Sequence, residues 1–336
     1  MFCGCGGLSY GFNEAGFDVV LGIDHWNDAI ATFKNNHKNA KGLVADLFSE
    51  TVNEISQKTG ILKVDLIIGG PPCQGFSIAG KRIIDDERNK LYKSFVSFVE
   101  FYKPKAFLME NVPNIVSMGE GVVKDTIIKD FEKLGYSVVY KVLMASDFGV
   151  PQNRKRAFFI GTKGKQEFYF PTMKTKKLIT SKEAISDLPE KSVPDGNNYS
   201  INPKSQYQEM IRKGSKGVFN HETTNHSEQT IEIIGMVPDG GNYKNLPEEF
   251  QQTRNVHIAW TRLCSEKPSF TIDTGHRHHF HYKFNRVPTV RESARIQSFP
   301  DTFIFLGCKT SQYKQVGNAV PPILAKILAE AIKTQL

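Results

Sequence analysis

The segment that decides the fold runs from Val64 to Ser77 and reads VDLIIGGPPCQGFS. Val64 to Ile68 is a short apolar run with the composition of a buried strand. Gly69, Gly70, Pro71 and Pro72 end it abruptly, because glycine favours turns and two prolines withhold the N–H groups that a strand ladder needs. Cys73 follows at once. A structural cysteine ordinarily sits inside an apolar run, whereas this one is presented on a rigid turn at the carboxyl end of a strand, where a thiolate can act as a nucleophile.

Working outward, the same strand-then-helix alternation recurs. Phe17 to Ile23 predicts a strand, and the stretch after Asp24, with Ala29, Ile30 and Phe33, a helix. Leu91, Phe95, Phe98, Val99 and Tyr102 fall at helical spacing; Ala106 to Met109 predicts a strand, and Val123, Ile127, Phe131 and Leu134 mark the next helix. The expected class is α/β, a doubly wound parallel sheet with helices on both faces. Ligands of such sheets sit beyond the carboxyl ends of the strands, which singles out Asp24, the Cys73 loop and Glu110-Asn111. Val138 to Leu143 and Ala157 to Gly161, joined by SDFGVPQNRKR, predict an antiparallel pair at the sheet edge. After about Pro171 the composition shifts to Lys, Asn, Ser and Gly with weak periodicity, and the chain ends in an amphipathic helix entered through Pro321-Pro322. Three segments are expected: 1–171 as the catalytic and cofactor-binding domain, 172–285 as a smaller irregular domain, and 286–336 as a hinge returning to the first.

The 336 residues suffice for two domains, and 43 Lys+Arg against 35 Asp+Glu give a formal +8, which favours a polyanionic partner such as nucleic acid. No apolar run reaches the roughly 20 residues of a membrane span and no secretory leader is seen, so a soluble cytoplasmic protein is expected. Five scattered cysteines do not form a disulfide framework, which leaves Cys73 reduced.

Other motifs carry chemistry with plainer alternatives beside it. FCGCGGLSYGF, residues 2–12, is glycine-rich, with Ser9 where a dinucleotide fingerprint has its third glycine; Asp24, at the end of a strand, could accept hydrogen bonds from a ribose diol. A tight turn without a ligand explains the glycines equally well. Asp46 could face an adenine amino group or be a solvated loop carboxylate. Glu110, at the end of a buried strand, is expected to have a raised pKa that suits a proton donor, or else to pair with Arg154 or Arg156. Those arginines could instead clamp a substrate oxygen. GHRHHFH, residues 275–281, holds four histidines, for which contact with substrate or plain exposure is preferred over a metal site.

In order, FCGCGG, GGPPCQGFS, ENV, QNRKR, RESARIQSFP and QVGNAVPP resemble the successive motifs of the cytosine-C5 DNA methyltransferases, especially bacterial modification enzymes. The resemblance spans most of the chain outside about 172–270. It implies an S-adenosylmethionine-dependent, Rossmann-like methyltransferase fold, with Phe2, Gly4 and Gly7 wrapping the cofactor, Asp24 on its ribose, Asp46 on its adenine, and Pro72, Leu91 and Asn318 lining the same pocket. It further implies that Cys73 attacks C6 of cytosine, that Glu110 holds N3, that Arg154 and Arg156 steady the base and the loop, and that Gln74, Gly75, Phe76 and Ser77 belong to a catalytic loop. The weakly periodic segment would be the target-recognition domain, double-stranded DNA the partner, and a cognate restriction endonuclease a companion of a monomeric enzyme that needs no metal. Relatives usually place a strand and an acidic residue before the glycine-rich turn, so with Met1-Phe2 at its start this chain is expected to lack the first strand of the sheet. His25 stands where many relatives place an apolar or aromatic residue. Rival readings are a tRNA cytosine-5 methyltransferase, a catalytically compromised DNA-binding relative, and a nicotinamide-linked oxidoreductase, the last leaving Cys73 unexplained.

Overall fold

The structure, a computed structural model, describes residues 1–72, 90–164, 166–172, 177–251, 260–275 and 279–336. Cys73, Gln74, Gly75, Phe76 and Ser77, and with them His276 and His278, lie outside the described residues. The chain forms two compact units, one of 1–144, 155–172 and 325–336, the other of 145–154 and 173–324.

The first unit alternates α1 (Gly7–Glu14), β1 (Leu21–Asp24), α2 (Asn27–Asn36), β2 (Lys41–Val44), α3 (Val52–Thr59), β3 (Leu66–Gly69), α4 (Lys90–Tyr102), β4 (Ala106–Asn111), α5 (Val122–Lys133), β5 (Tyr136–Met144) and β6 (Lys155–Lys163). Its helices form where the apolar spacing lies, and α3 is started by a capping box in which Thr51 and Glu54 satisfy each other's backbone N–H groups. Phe95, Phe107 and Phe131 meet at the centre of the core, the last two with ring centroids 4.0 Å apart.

The sheet departs from the expected parallel one. β1 and β2 pair in parallel as a separate two-stranded sheet, while the other four run in the order β3-β4-β6-β5, with only β3 and β4 parallel. β6 is antiparallel to both neighbours. The hairpin of β5 and β6 does lie at the edge, and β6 takes its inner position because six of its residues in a row, Ala157 to Thr162, are buried, whereas β5 stays largely part-exposed. Of the expected first strand, Phe17 to Val20 fall outside β1. Between β1 and β3 run the opening residues: the Met1 ammonium donates to the Ile68 carbonyl at 2.8 Å, and the Cys3 N–H to that of Ile23 at 3.0 Å.

The second unit contains α6 (Ser181–Ile185), α7 (Gln206–Arg212), α8 (Glu228–Met236), α9 (Glu248–Gln251), β7 (Thr261–Arg262), β8 (His279–Phe280), α10 (Val290–Ile296) and α11 (Lys309–Asn318); α12 (Pro322–Gln335) then begins here and ends in the first unit. Elements this short cannot show a long period. Their interior is held largely by buried charge: Arg295 reaches both oxygens of Asp301, at 2.9 and 2.7 Å, and also Asp187. Arg291 donates to the carbonyls of Phe219, Pro300 and Phe303. Arg286 forks onto Glu292 at 2.7 and 2.8 Å, and the same carboxylate caps α10 by accepting the Thr289 N–H.

Substrate contact or plain exposure was expected for GHRHHFH, and the burial of its described histidines overturns the exposure: His279 packs on Phe270, and His281 stacks against Tyr282 and Phe284. His281 Nδ1 accepts from the N–H groups of Lys283 and Phe284, so Nε2 carries the proton and faces Glu292 at 3.6 Å. Burial pushes the pKa of His281 down from 6.5 to about 4. Burial of Glu292 opposes its charge, but the Arg286 guanidinium outweighs this and holds the carboxyl far below the usual range.

A depressed histidine pKa means that the unfolded chain takes up a proton near pH 6.5 while the folded chain does not, so stability falls as pH drops from about 6.5 towards 4. Glu292 adds a further loss below its unfolded value of 4.5. Calorimetric melts stepped from pH 8 to 4 are expected to show this decline, on the order of a few kcal/mol, and His281→Gln is expected to flatten its upper part; a decline unchanged by the substitution would assign it to other groups.

Candidate active site

The carboxyl end of β4 gathers the polar groups. Glu110 lies opposite Phe158 of β6, and Arg156, two residues away on the same face, places its Nε 2.8 Å from Glu110 Oε1. Arg156 also donates to the Lys155 carbonyl at 2.7 Å. Of the two arginines proposed from sequence as partners for Glu110, the structure brings Arg156. Arg154 is fully buried in the second unit, where it donates to the carbonyls of Ile272 and Gly317.

The turn before Cys73 is seated on this strand end. A Cβ on Gly70 would stand 2.8 Å from Glu110 Oε2, so any larger residue here would make the carboxylate shift. The buried amide of Asn111 donates to the Pro71 carbonyl at 2.9 Å. Pro72, exposed, is the last described residue before Cys73. Gly70 and Asn111 were placed at this edge by the sequence, but their contacts with Glu110 and Pro71 were not foreseen.

The glycine-rich stretch forms the neighbouring wall. Phe2, Gly4 and Gly6 take left-handed φ of 50°, 52° and 97°, and Gly7, buried, opens α1. Asp24 closes β1 and clamps the loop: Oδ2 accepts the Gly4 N–H at 2.8 Å, and Oδ1 the Trp26 N–H at 3.1 Å, with the His25 ring nitrogen 3.3 Å away. Two carboxylate oxygens carry about four lone-pair directions, so capacity for a diol persists. Among the described residues nothing beyond its chain neighbours lies within 4 Å of a Cβ built on Gly4, which leaves this face of the turn room for a ligand. Asp46 is exposed beyond β2, where the Ala45 N–H ties the chain to the Asp24 carbonyl at 3.0 Å. Leu91, in the first turn of α4, packs part-buried on the core. Asn318, exposed, ends α11 in the second unit.

Burial raises the thiol of Cys3 far above its ordinary value and that of Cys5 to about 12, so neither competes as a thiolate. Among the described residues no group of three His, Cys, Asp or Glu side chains could hold a metal ion.

The family model for C-5 cytosine-specific DNA methylases matches residues 1–334. The Type II methyltransferase M.DdeI of Desulfomicrobium norvegicum is 40% identical over 363 residues, covering 99% of this chain and 87% of its own. M1.HphI of Haemophilus parahaemolyticus, also a Type II methyltransferase, is 40% identical over 335 residues, covering 99% and 85%. The crystal structure of a prophage-encoded DNA modification methyltransferase of E. coli superposes with a TM-score of 0.80 at 28% identity, covering 99% of this chain and 97% of the other. The Schizosaccharomyces pombe Dnmt2 methyltransferase shares the fold, with a TM-score of 0.60 at 17% identity over 100% and 96% of the two chains. The chain therefore belongs to the C-5 cytosine-specific DNA methylases, S-adenosylmethionine-dependent enzymes built on a Rossmann-like α/β fold.

Proposed function

We propose that this DNA cytosine-5 methyltransferase works by a covalent mechanism in which Cys73 is the nucleophile and Glu110 its partner on the base, and that it serves as the modification enzyme of a restriction system. The observation that carries the mechanism is the seating of Glu110: its carboxylate is fixed by Arg156 on one side and lies against Gly70 on the other, three residues from Cys73 in sequence.

C5 of cytosine is too electron-poor to take a methyl group unaided, and a temporary bond to the ring changes that. The Cys73 thiolate adds to C6, and Glu110, held at N3, offers a proton there, so the displaced electrons gather at C5. S-adenosylmethionine, when bound, supplies a methyl group on a sulfonium. Once C5 carries the methyl group, loss of the C5 proton and cleavage of the C6–sulfur bond restore the aromatic ring and free Cys73. Arg156 orients the carboxylate through its Nε and has donors left for the base. A cysteine in a cleft reaches C6 only if the cytosine leaves the duplex stack. Phe2, Gly4 and Gly7 would hold the cofactor by their backbone, Asp24 its ribose, and Asp46 its adenine, with Pro72 and Leu91 lining the pocket.

Residues 172–285 would read the target sequence, a role their basic, irregular character suits. Relatives named as Type II methyltransferases support a restriction partner. The enzyme would act as a monomer in the cytoplasm; among the described residues no helix is long and apolar enough to cross a membrane.

Incubation with labelled S-adenosylmethionine and unmethylated DNA, followed by base-resolution mapping, is expected to place 5-methylcytosine in one short motif. Cys73→Ser is expected to abolish transfer while retaining DNA binding, and normal turnover by that variant would refute the covalent route. Gly70→Ala displaces the Glu110 carboxylate and is expected to lower kcat by about a hundredfold with DNA affinity retained. Affinity for DNA is expected to fall steeply with salt, since lysine and arginine contacts to phosphate release counterions; a flat response would count against a basic reading face.

A further inference from the structure

The glycine-rich turn is hydrogen-bonded to β1 and rests on two aromatic rings of α2. The Cys3 N–H donates to the Ile23 carbonyl and the Gly4 N–H to Asp24, while the Gly6 N–H closes the turn on the Cys3 carbonyl at 2.9 Å. Against Gly6 lie Phe33 and His37: a Cβ built there would stand 2.8 Å from a Phe33 ring carbon and 2.5 Å from Cε1 of His37. Both side chains are buried, and their rings stack with centroids 4.2 Å apart and planes within 7° of parallel. Phe33 also meets β1, where a Cβ on Gly22 would stand 2.4 Å from its Cζ. The stack therefore sits between the strand and the turn.

His37 caps the end of α2, and its ring is oriented from within that helix. Nδ1 lies 3.1 Å from the Phe33 carbonyl, which can only accept, so Nδ1 carries the proton. Burial holds the pKa of His37 below its ordinary 6.5 and keeps the ring neutral. Tyr10 of α1 meets the same ring edge-on, with centroids 6.1 Å apart. None of the chemical steps above uses this histidine, yet it touches the turn to which Phe2, Gly4 and Gly7 belong. Backbone groups that hold a ligand have no rotamers with which to compensate, so a displaced turn passes its error straight to the contact.

We propose that His37 is a positioning residue for S-adenosylmethionine: its ring sets the height of the turn at Gly6, and with it the backbone groups that hold the cofactor. The proposal rests on the assignment of this turn to the cofactor. His37, its ring partners and the turn all lie within the first unit. What the turn requires is a flat ring of this size, and the hydrogen bond to the Phe33 carbonyl only orients it. Two substitutions separate these features. His37→Phe keeps the ring and loses the donor, whereas His37→Gln keeps a donor and loses the ring.

The test measures cofactor affinity by calorimetry on the full chain with S-adenosylmethionine alone, beside exchange of the cytosine C5 proton in DNA without cofactor. That exchange needs the Cys73 thiolate to add to C6, solvent to protonate C5, the original C5 proton to leave and the thiolate to be expelled, so it reports the base side of the site. His37→Gln is expected to weaken cofactor binding by about tenfold with exchange unchanged, and His37→Phe to keep both. His37→Leu, with neither ring nor donor, is expected to match His37→Gln and replaces it in the comparison if the glutamine variant does not fold. Asp24→Ala, which releases the other side of the turn, serves as the reference and is expected to weaken cofactor binding as well. Intact affinity in His37→Gln beside a loss in Asp24→Ala would overturn the positioning role and leave the turn with the cofactor. Equal losses in His37→Phe and His37→Gln would overturn the role of the ring. Exchange lost together with affinity in His37→Gln would mark the histidine as general support of the fold and overturn the proposal. Unchanged affinity in Asp24→Ala would overturn both the proposal and the assignment it rests on.

Discussion

The geometry of the first unit hangs on β4. It is hydrogen-bonded to β3 on one side and β6 on the other, and its first four residues are fully buried. A strand so enclosed admits a carboxylate only at its end and only with a partner, since an unpaired buried charge costs several kcal/mol. Glu110 meets that condition through Arg156, and the register that pairs Glu110 with Phe158 is what brings Arg156 within reach. The parallel partner β3 leaves the sheet one residue beyond Gly69, and Gly70 is small enough to pass under the same carboxylate. One ladder thus sets the acid, its counter-ion and the turn that leads to Cys73.

The second unit solves a different problem. Its helices are mostly a single turn or two, too short to present broad apolar faces, and its largest fully buried side chains include Arg154, Arg291 and Arg295. Each guanidinium ties carbonyls or carboxylates from distant parts of the chain. Such networks add modest net stability, because desolvation offsets much of the attraction, yet removing one partner leaves a buried charge exposed to its full penalty. They fix one arrangement among many. A fold that must present particular exposed side chains from irregular backbone gains from that selectivity.

These two styles explain what could be read from the sequence. In the first unit the apolar spacing of Phe95, Phe98 and Val99, or of Val123, Ile127 and Phe131, reports packing directly, and those helices stand where the spacing placed them. The hairpin of β5 and β6 was legible from its short connection. The separation of β1 and β2 from the other four strands was not foreseen as such, because pairing between strands leaves no mark in one-dimensional periodicity. In the second unit the polar interior hides the core: nothing in RESARIQSFP says that both arginines are inside. GHRHHFH misled for the same reason, since a neutral histidine that accepts backbone N–H groups and stacks on aromatic rings has the composition of a surface or metal motif.

QNRKR gathers both styles into five residues. Arg154 and Arg156 are identical in type and two positions apart, so a strand would turn them to the same face. They part because the strand begins between them, at Lys155, and the chain changes unit at that point. Before it, Arg154 is in loop backbone and aims into a buried polar network; after it, Arg156 is bound by the pleat of β6 and faces Glu110. Similar residue types at the same motif therefore meet different requirements. Arg154 needs a planar fork that spans two carbonyls, and Arg156 needs one donor aimed at a carboxylate with others left over. Lysine could supply the charge in either place but the geometry of neither.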